Sequence, residues 1–271
     1  FHLGETSTIS EPFDMVFLCV KSYDTQWATH LIKPYLAPDG FVASLQNCMN
    51  EEFIAAIVGW GKVVGCIAAK ISVELRGPAH VNRNVPLLGN AHTVFRAGEA
   101  HGRITERVEL VAELMRHTDS AMATRDLLGE RCSKLVVNSS HNGLSAATGL
   151  GGNGMATHDA ARRVQIRMAA ESIQVGQALG HVLHVKKGTE PAQWIAAAKG
   201  DAKAMQGIED LLLAEVGSRG EGQRPSMGQD MLKGRKTEIA EINGHVVEKG
   251  AEVGIATPLN AAMVDLVQRC E

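Results

Sequence analysis

The sequence predicts an α/β unit followed by an all-helical one, and three observations carry that expectation. Short continuous apolar runs alternate with helical patterns over residues 14–69. Beyond Asp126 almost every segment repeats its apolar residues with a helical period, and the stretch between is punctuated by Gly and Pro. The 271 residues are 45% hydrophobic and 21% charged, enough to bury a real core in two domains, expected at 1–122 and 123–271.

Residues 14–20 are a continuous apolar run suited to a strand buried on both faces. Residues 24–36 form an amphipathic helical pattern through Trp27, Ala28, Leu31, Ile32 and Leu36, closed by Pro38-Asp39-Gly40. Residues 41–45, 51–58 and 63–69 then read as strand, helix and strand. This rhythm predicts a parallel sheet with right-handed crossovers. Lys21 and Asn47 follow its strands, where such sheets bind ligands, although spacing alone favours plain surface-loop residues. Residues 71–95 suggest short antiparallel strands finishing the sheet, residues 108–116 a helix, and residues 118–125 the domain boundary.

In the helical half, residues 126–147 place Lys134, Asn138 and Asn142 at four-residue intervals, with Ser145 three further on, along one helix stripe. Such a stripe is either solvated or a polar site, since each group buried without a partner costs about 1–3 kcal/mol. Further helical patterns cover residues 160–179, 192–198, 208–216 and 237–248, and residues 186–225 are the least regular. Near the C-terminus, Ser226 reads locally as an N-cap completed by Gln229, and Glu238 as a solvated first-turn acid.

A net charge of −3 supplies no basic field for nucleic acid or an anionic membrane. No apolar run is long enough to span a bilayer and no signal-peptide pattern opens the chain, so a soluble cytoplasmic protein is expected. The five cysteines are scattered without a C-x-x-C pair, which fits reduced thiols and no structural metal. His181 and His184 lack further ligands at suggestive spacing. Gly149-Leu150-Gly151-Gly152-Asn153-Gly154 satisfies G-x-G-x-x-G, but a helix precedes it and no second strand follows, so it reads as a helix C-cap and turn.

Taken together, Lys134-Leu135-x-x-Asn138-x-x-x-Asn142, Ser226-Met227-x-x-Asp230, Gly234-Arg235-x-Thr237-Glu238-Ile239, Asn243-Gly244, Thr257-Pro258-x-Asn260, and the early Val20-Lys21 and Leu45-Gln46-Asn47 resemble the ketopantoate reductase (2-dehydropantoate 2-reductase) family. The resemblance spans nearly the whole chain. It implies a partial Rossmann-type domain followed by a helical domain of the 6-phosphogluconate dehydrogenase C-terminal kind, and NADPH-dependent reduction of a 2-keto acid in the cleft between them, as in pantothenate biosynthesis. It also implies Lys134 as general acid, Glu238 beside it and the nicotinamide ribose, and Asn138 and Asn142 on the substrate's keto and hydroxyl groups. Ser226 would take the substrate carboxylate, Asn47 and Lys21 the cofactor, Asn47 also the substrate side, and Asn153 the substrate. No metal, nucleic acid or membrane enters this reading, and a homodimer is compatible with it.

Departures accompany the resemblance. Cys48 stands where the family pattern has glycine, and Cys132 where it commonly has tryptophan, a volume loss expected to leave a cavity or a repacked junction. The long segment 186–223 is expected to reshape the pocket. Nothing before Asp14 matches the family's first strand, glycine loop and second strand, so the chain reads as N-terminally truncated and is expected to bind NADPH poorly. The alternatives are an opine-type or 3-hydroxyacid dehydrogenase, and a non-catalytic module whose Lys134 stripe packs on a partner helix.

Overall fold

A computed structural model describes residues 3–69, 71–87, 92–185, 188–217 and 223–271. The chain divides into two compact units, Phe1–Leu128 and Gly129–Glu271. The division falls after Leu128 rather than after residue 122 because Leu127 packs against the sheet, where a Cβ on Gly65 would lie 2.6 Å from Leu127 Cδ1.

The first unit holds strands β1 (Phe13–Leu18), β2 (Leu36–Ser44), β3 (Val63–Ala68), β4 (Val73–Gly77), β5 (His80–Arg83), β6 (Phe95–Gly98) and β7 (Ala121–Ala123), with helices α1 (Thr25–Ile32), α2 (Glu51–Val58) and α3 (Glu106–Arg116). The main sheet runs β1-β2-β3-β6-β7, with β1, β2 and β3 parallel and β6 antiparallel to β3. Alternation along the strands separates two cores. Phe41, Ala43, Val64 and Cys66 face Val108, Val111 and Ala112 of α3, whereas Val42 and Val63 face Ala28 of α1 and Ile54 of α2.

Three expectations change here. β1 lies at the edge of the sheet, so Met15, Val16 and Phe17 are only half-buried. The pattern read as one helix over residues 24–36 stops at Ile32, and Leu36 through Gly40 already belong to β2. Gly40 allows the bulge there, since a Cβ would lie 2.6 Å from Phe13 O. The hairpin β4–β5 does not finish the main sheet but pairs only with itself among the described residues. One of its faces carries Glu74 and Asn82, and Val73, Leu75 and Val81 on the other remain exposed.

The second unit is built on α4 (Leu127–Thr148), which begins just before the division, followed by α5 (Gly152–Thr157), α6 (Asp159–Ala178), α7 (Pro191–Ala198), α8 (Ala202–Ala214) and α9 (Ser226–Leu232). A π-helical turn, Ala240–Gly244, leads into α10 (His245–Glu252), and α11 (Pro258–Cys270) ends the chain. α4 and α6 are antiparallel. Cys132 Sγ lies 2.7 Å from the Cβ position of Gly176, Ser139 Oγ is 2.8 Å from Ser172 Oγ, and His141 Nε2 is 2.9 Å from Gln165 Nε2. Cys132 and Val136 join Ile166, Ile173, Trp194 and Leu212 in one core, so the position expected to leave a cavity is filled against α6. Burial pushes the Cys132 thiol up to about 12, which makes it a packing group rather than a reactive one.

Candidate active site

In the sheet unit, the loops after β1 and β2 are tied into one platform. Gln46 Nε2 donates to Val20 O and to Thr25 Oγ1, both at 2.9 Å, and Ser22 Oγ donates to Asn47 O at 3.4 Å. Asn50 Nδ2 donates to Asn47 O at 2.7 Å and to Ser22 Oγ at 3.1 Å. Lys21 and Asn47, both half-buried, therefore stand on bridged loops at the carboxyl ends of adjacent parallel strands, where α/β sheets receive ligands. Next to Asn47, Cys48 has φ 65°, the left-handed region that glycine occupies freely. The turn keeps the glycine conformation with a buried thiol side chain instead.

In the helical unit, Lys134 and Asn138 are half-buried and Asn142 is buried along α4. Two elements close on this helix. A Cβ on Gly228 of α9 would lie 2.4 Å from Ser145 Oγ, and Arg224 Nε donates to Gly149 O at 3.0 Å, which seats the helix begun by Ser226 against the C-terminal end of the stripe. On the neighbouring flank, a Cβ on Gly143 would lie 3.1 Å from Ile239 Cδ1, and Asn243 Nδ2 donates to Ser139 O at 2.9 Å.

Glu238 precedes that contact and is 3% exposed, so the solvated first-turn acid expected locally is a buried carboxylate. Ser226 likewise is not an N-cap. Pro225 occupies that position, and Ser226 is the first helical residue. The helix after Glu238 is begun by Thr237, whose Oγ1 accepts from Ile239 N at 3.2 Å and donates to the Glu271 carboxylate.

Asn243 and Asn260, read only as motif residues, are structural. Asn243 Nδ2 also donates to Asn260 Oδ1 at 2.9 Å, and Asn260 Nδ2 donates to Glu171 Oε2 at 2.7 Å. Glu171 in turn accepts from the backbone N–H groups of Leu259 and Asn260, both at 3.0 Å, capping α11. This chain of bonds locks α4, α6, α11 and the π turn together. Glu171 was not distinguishable in the sequence because its partners lie nearly ninety positions away.

Asn153 lies in α5, so the glycine run is a short helix rather than only a turn, although Gly149, at φ 71°, does end α4. Asn153 lines a cavity with His141, Gln165, Leu212 and Glu215. Sequence reasoning missed His141 and Gln165, although His141 follows Asn138 by one helical turn on the same side of α4. Leu212, Glu215 and Val216, from the long segment 186–223, contribute walls to this cavity. Among the described residues no group of three or more His, Cys, Asp or Glu is arranged to hold a metal.

The description "Ketopantoate reductase PanE/ApbA C terminal" matches residues 126–271, and "Ketopantoate reductase PanE/ApbA" matches residues 3–96. The chain belongs to the ketopantoate reductase family. A 2-dehydropantoate 2-reductase of Archaeoglobus fulgidus is 29% identical over 263 residues, 96% of this chain and 78% of that relative. The crystal structure of a ketopantoate reductase from Ralstonia eutropha JMP134 is 25% identical with a TM-score of 0.74, covering 96% of this chain and 76% of the other. A D-mandelate dehydrogenase solved with NADH and anilino(oxo)acetate shares the fold at 18% identity and a TM-score of 0.75, over 97% of this chain and 78% of its own.

Proposed function

We propose that this ketopantoate reductase family member reduces 2-dehydropantoate, or a closely similar 2-keto acid, to the 2-hydroxy acid with NADPH, using Lys134 as the proton donor. The observation that carries the reading is α4 itself. One stripe presents an ammonium and two amides, and the elements bearing Ser226 and Glu238 are both packed on that helix. The relatives named as 2-dehydropantoate 2-reductases support the substrate, and the NADH complex of D-mandelate dehydrogenase supports a nicotinamide cofactor.

The donors on the sheet platform fit such a cofactor, because the Lys21 ammonium and Asn47 amide suit ribose hydroxyls and a carboxamide, and their loops are held by neighbouring bonds. When bound, the nicotinamide supplies the hydride. The chain's own groups do the rest. Lys134 holds a proton at the keto oxygen, where negative charge develops, and the Ser226 hydroxyl orients the carboxylate. Asn138, Asn142 and Asn153 fix the keto and hydroxyl groups. Glu238 supplies the negative charge that keeps an ammonium charged where water is excluded.

The test is NADPH oxidation with 2-dehydropantoate by the full-length protein. Lys134→Ala is expected to lower kcat by about 10²–10⁴ with an unchanged far-UV circular dichroism spectrum. An unaltered rate would remove Lys134 from the chemistry. Running the same assay with NADH and with a keto-acid panel checks the NADPH preference and separates an opine-type or 3-hydroxyacid dehydrogenase.

A further inference from the structure

The cavity beside α4 contains a buried amide whose orientation is determined by its neighbours. Ser140 Oγ donates to Val137 O at 2.9 Å, so its proton is committed there. His141 Nδ1 lies 2.9 Å from both Val137 O and Ser140 Oγ, and both are then acceptors toward it. The ring therefore carries a proton on Nδ1, and in the neutral ring Nε2 is the acceptor. Gln165 must present its Nε2 donor to that nitrogen, at 2.9 Å, and among the described residues this is its only side-chain hydrogen bond. Gln165 is 1% exposed. Its other end, Oε1, has no protein donor among the described residues and remains open to solvent, so a water or a hydroxyl entering the cavity can donate to it.

The other lining groups agree on what could enter. The Glu215 carboxylate adds acceptor character and negative charge, Asn153 adds an amide, and Leu212 and Ala156 are apolar. A hydroxyl group matches this lining, and a second carboxylate is repelled. His141 stands seven residues after Lys134, about 10 Å along the helix. A small substrate with a hydrogen bond of roughly 3 Å at each end covers that distance.

We propose that Gln165, held by His141, is a specificity-determining residue that accepts a hydrogen bond from a hydroxyl on the tail of the keto acid. This rests on the reductase reading above and adds a residue of α6 to it. The amides of Asn138 and Asn142 then orient a group whose identity is checked at Gln165.

Two substrates differing by one oxygen decide the matter: 2-dehydropantoate, and 3,3-dimethyl-2-oxobutanoate, which lacks only its hydroxyl. The wild-type protein is expected to favour the hydroxylated substrate at least tenfold in kcat/KM. Gln165→Met, close in volume but without the acceptor, is expected to lower kcat/KM for 2-dehydropantoate about tenfold and to leave the other substrate unchanged. Equal use of the two by the wild type, or an equal loss on both in the variant, overturns the role of Gln165 while the reductase reading stands. Reduction of neither by the full-length wild-type protein overturns that reading and this inference together. If Gln165→Met does not fold, His141→Phe, which removes the acceptor holding the Gln165 amide, is expected to narrow the preference between the two substrates, and an unchanged preference overturns the role of Gln165.

Discussion

At Gly143 three elements meet closely, and the absence of a side chain there has a calculable consequence. A Cβ would lie 2.5 Å from Met263 Cγ, 3.1 Å from Ile239 Cδ1 and 3.2 Å from Asn243 Oδ1. Gly143→Ala gains about 1 kcal/mol of helix propensity, but overpacking of a filled core typically costs about 1–3 kcal/mol. Met263 cannot absorb the contact by moving only its tip, because Cγ lies inside the side chain. The expected outcome is a lower Tm by calorimetry and, since Gly143 follows Asn142, a lower kcat in the same preparation. A variant as stable as the wild type would mean that α11 and the π turn yield more easily than their packing indicates. The same residue shows what the sequence could not convey. A mid-helix glycine is legible as a weak point, but its reason is a contact with residues about a hundred positions later. Glu238 is similar, because a first-turn acid reads as solvated until the fold buries it.

Among the elements, those with strong local signals were legible. α2 occupies residues 51–58 as expected, because Glu51 and Glu52 open it and Gly59, at φ 88°, closes it. β7 was not, since Ala121-Met122-Ala123 contains no β-branched or aromatic residue and becomes a strand only by pairing with β6. The π turn Ala240–Gly244 was also hidden within an ordinary helical period. That turn carries a testable strain. Burial raises the pKa of Glu241 above the ordinary carboxylate range, reinforced by the nearby charges of Glu238 and Glu271 and opposed by a backbone hydrogen bond and Lys236. Its buried Oε2 has no partner among the described residues. Because the folded value is raised, the carboxylate imposes no penalty below its unfolded pKa of about 4.3, and the penalty grows as pH rises toward the folded value. Glu241→Gln is expected to raise Tm at pH 7, with the advantage vanishing below about pH 4. A Tm gain that persisted unchanged into acid would place its cause elsewhere.

On the scale of the molecule, the broad order of a sheet unit followed by a helical unit was legible because the apolar period changes along the chain. The exact division was not, because Leu127 belongs to a helix by periodicity and to the sheet unit by packing. Each unit has its own core, so a lesion can be directed at one of them. In the sheet unit the buried Glu99, just after β6, accepts from Arg107 Nε at 2.9 Å and from Thr105 Oγ1 at 2.5 Å, joining α3 to the sheet. Arg107 continues to Gly61 O before β3 and stands 5.9 Å from the Phe41 ring centre. Burial alone would push the Glu99 pKa up, but the hydrogen bonds from Arg107 and Thr105 and the charges of Arg107 and His101 hold it below the usual value. A depressed carboxylate contributes stability that is fully present above its unfolded pKa and is lost as pH falls through the folded one. Glu99→Gln should therefore lower Tm at pH 7, leaving Arg107 without its charged partner, and the difference from wild type should close as the pH drops below about 4. Hydrogen exchange supplies the spatial check. Protection should fall over β6 and α3 while the amides around buried Trp194, in the core of the helical unit, keep their wild-type rates. Loss of protection around Trp194 to the same degree would mean that the two units unfold as one, and that the separate cores do not act separately.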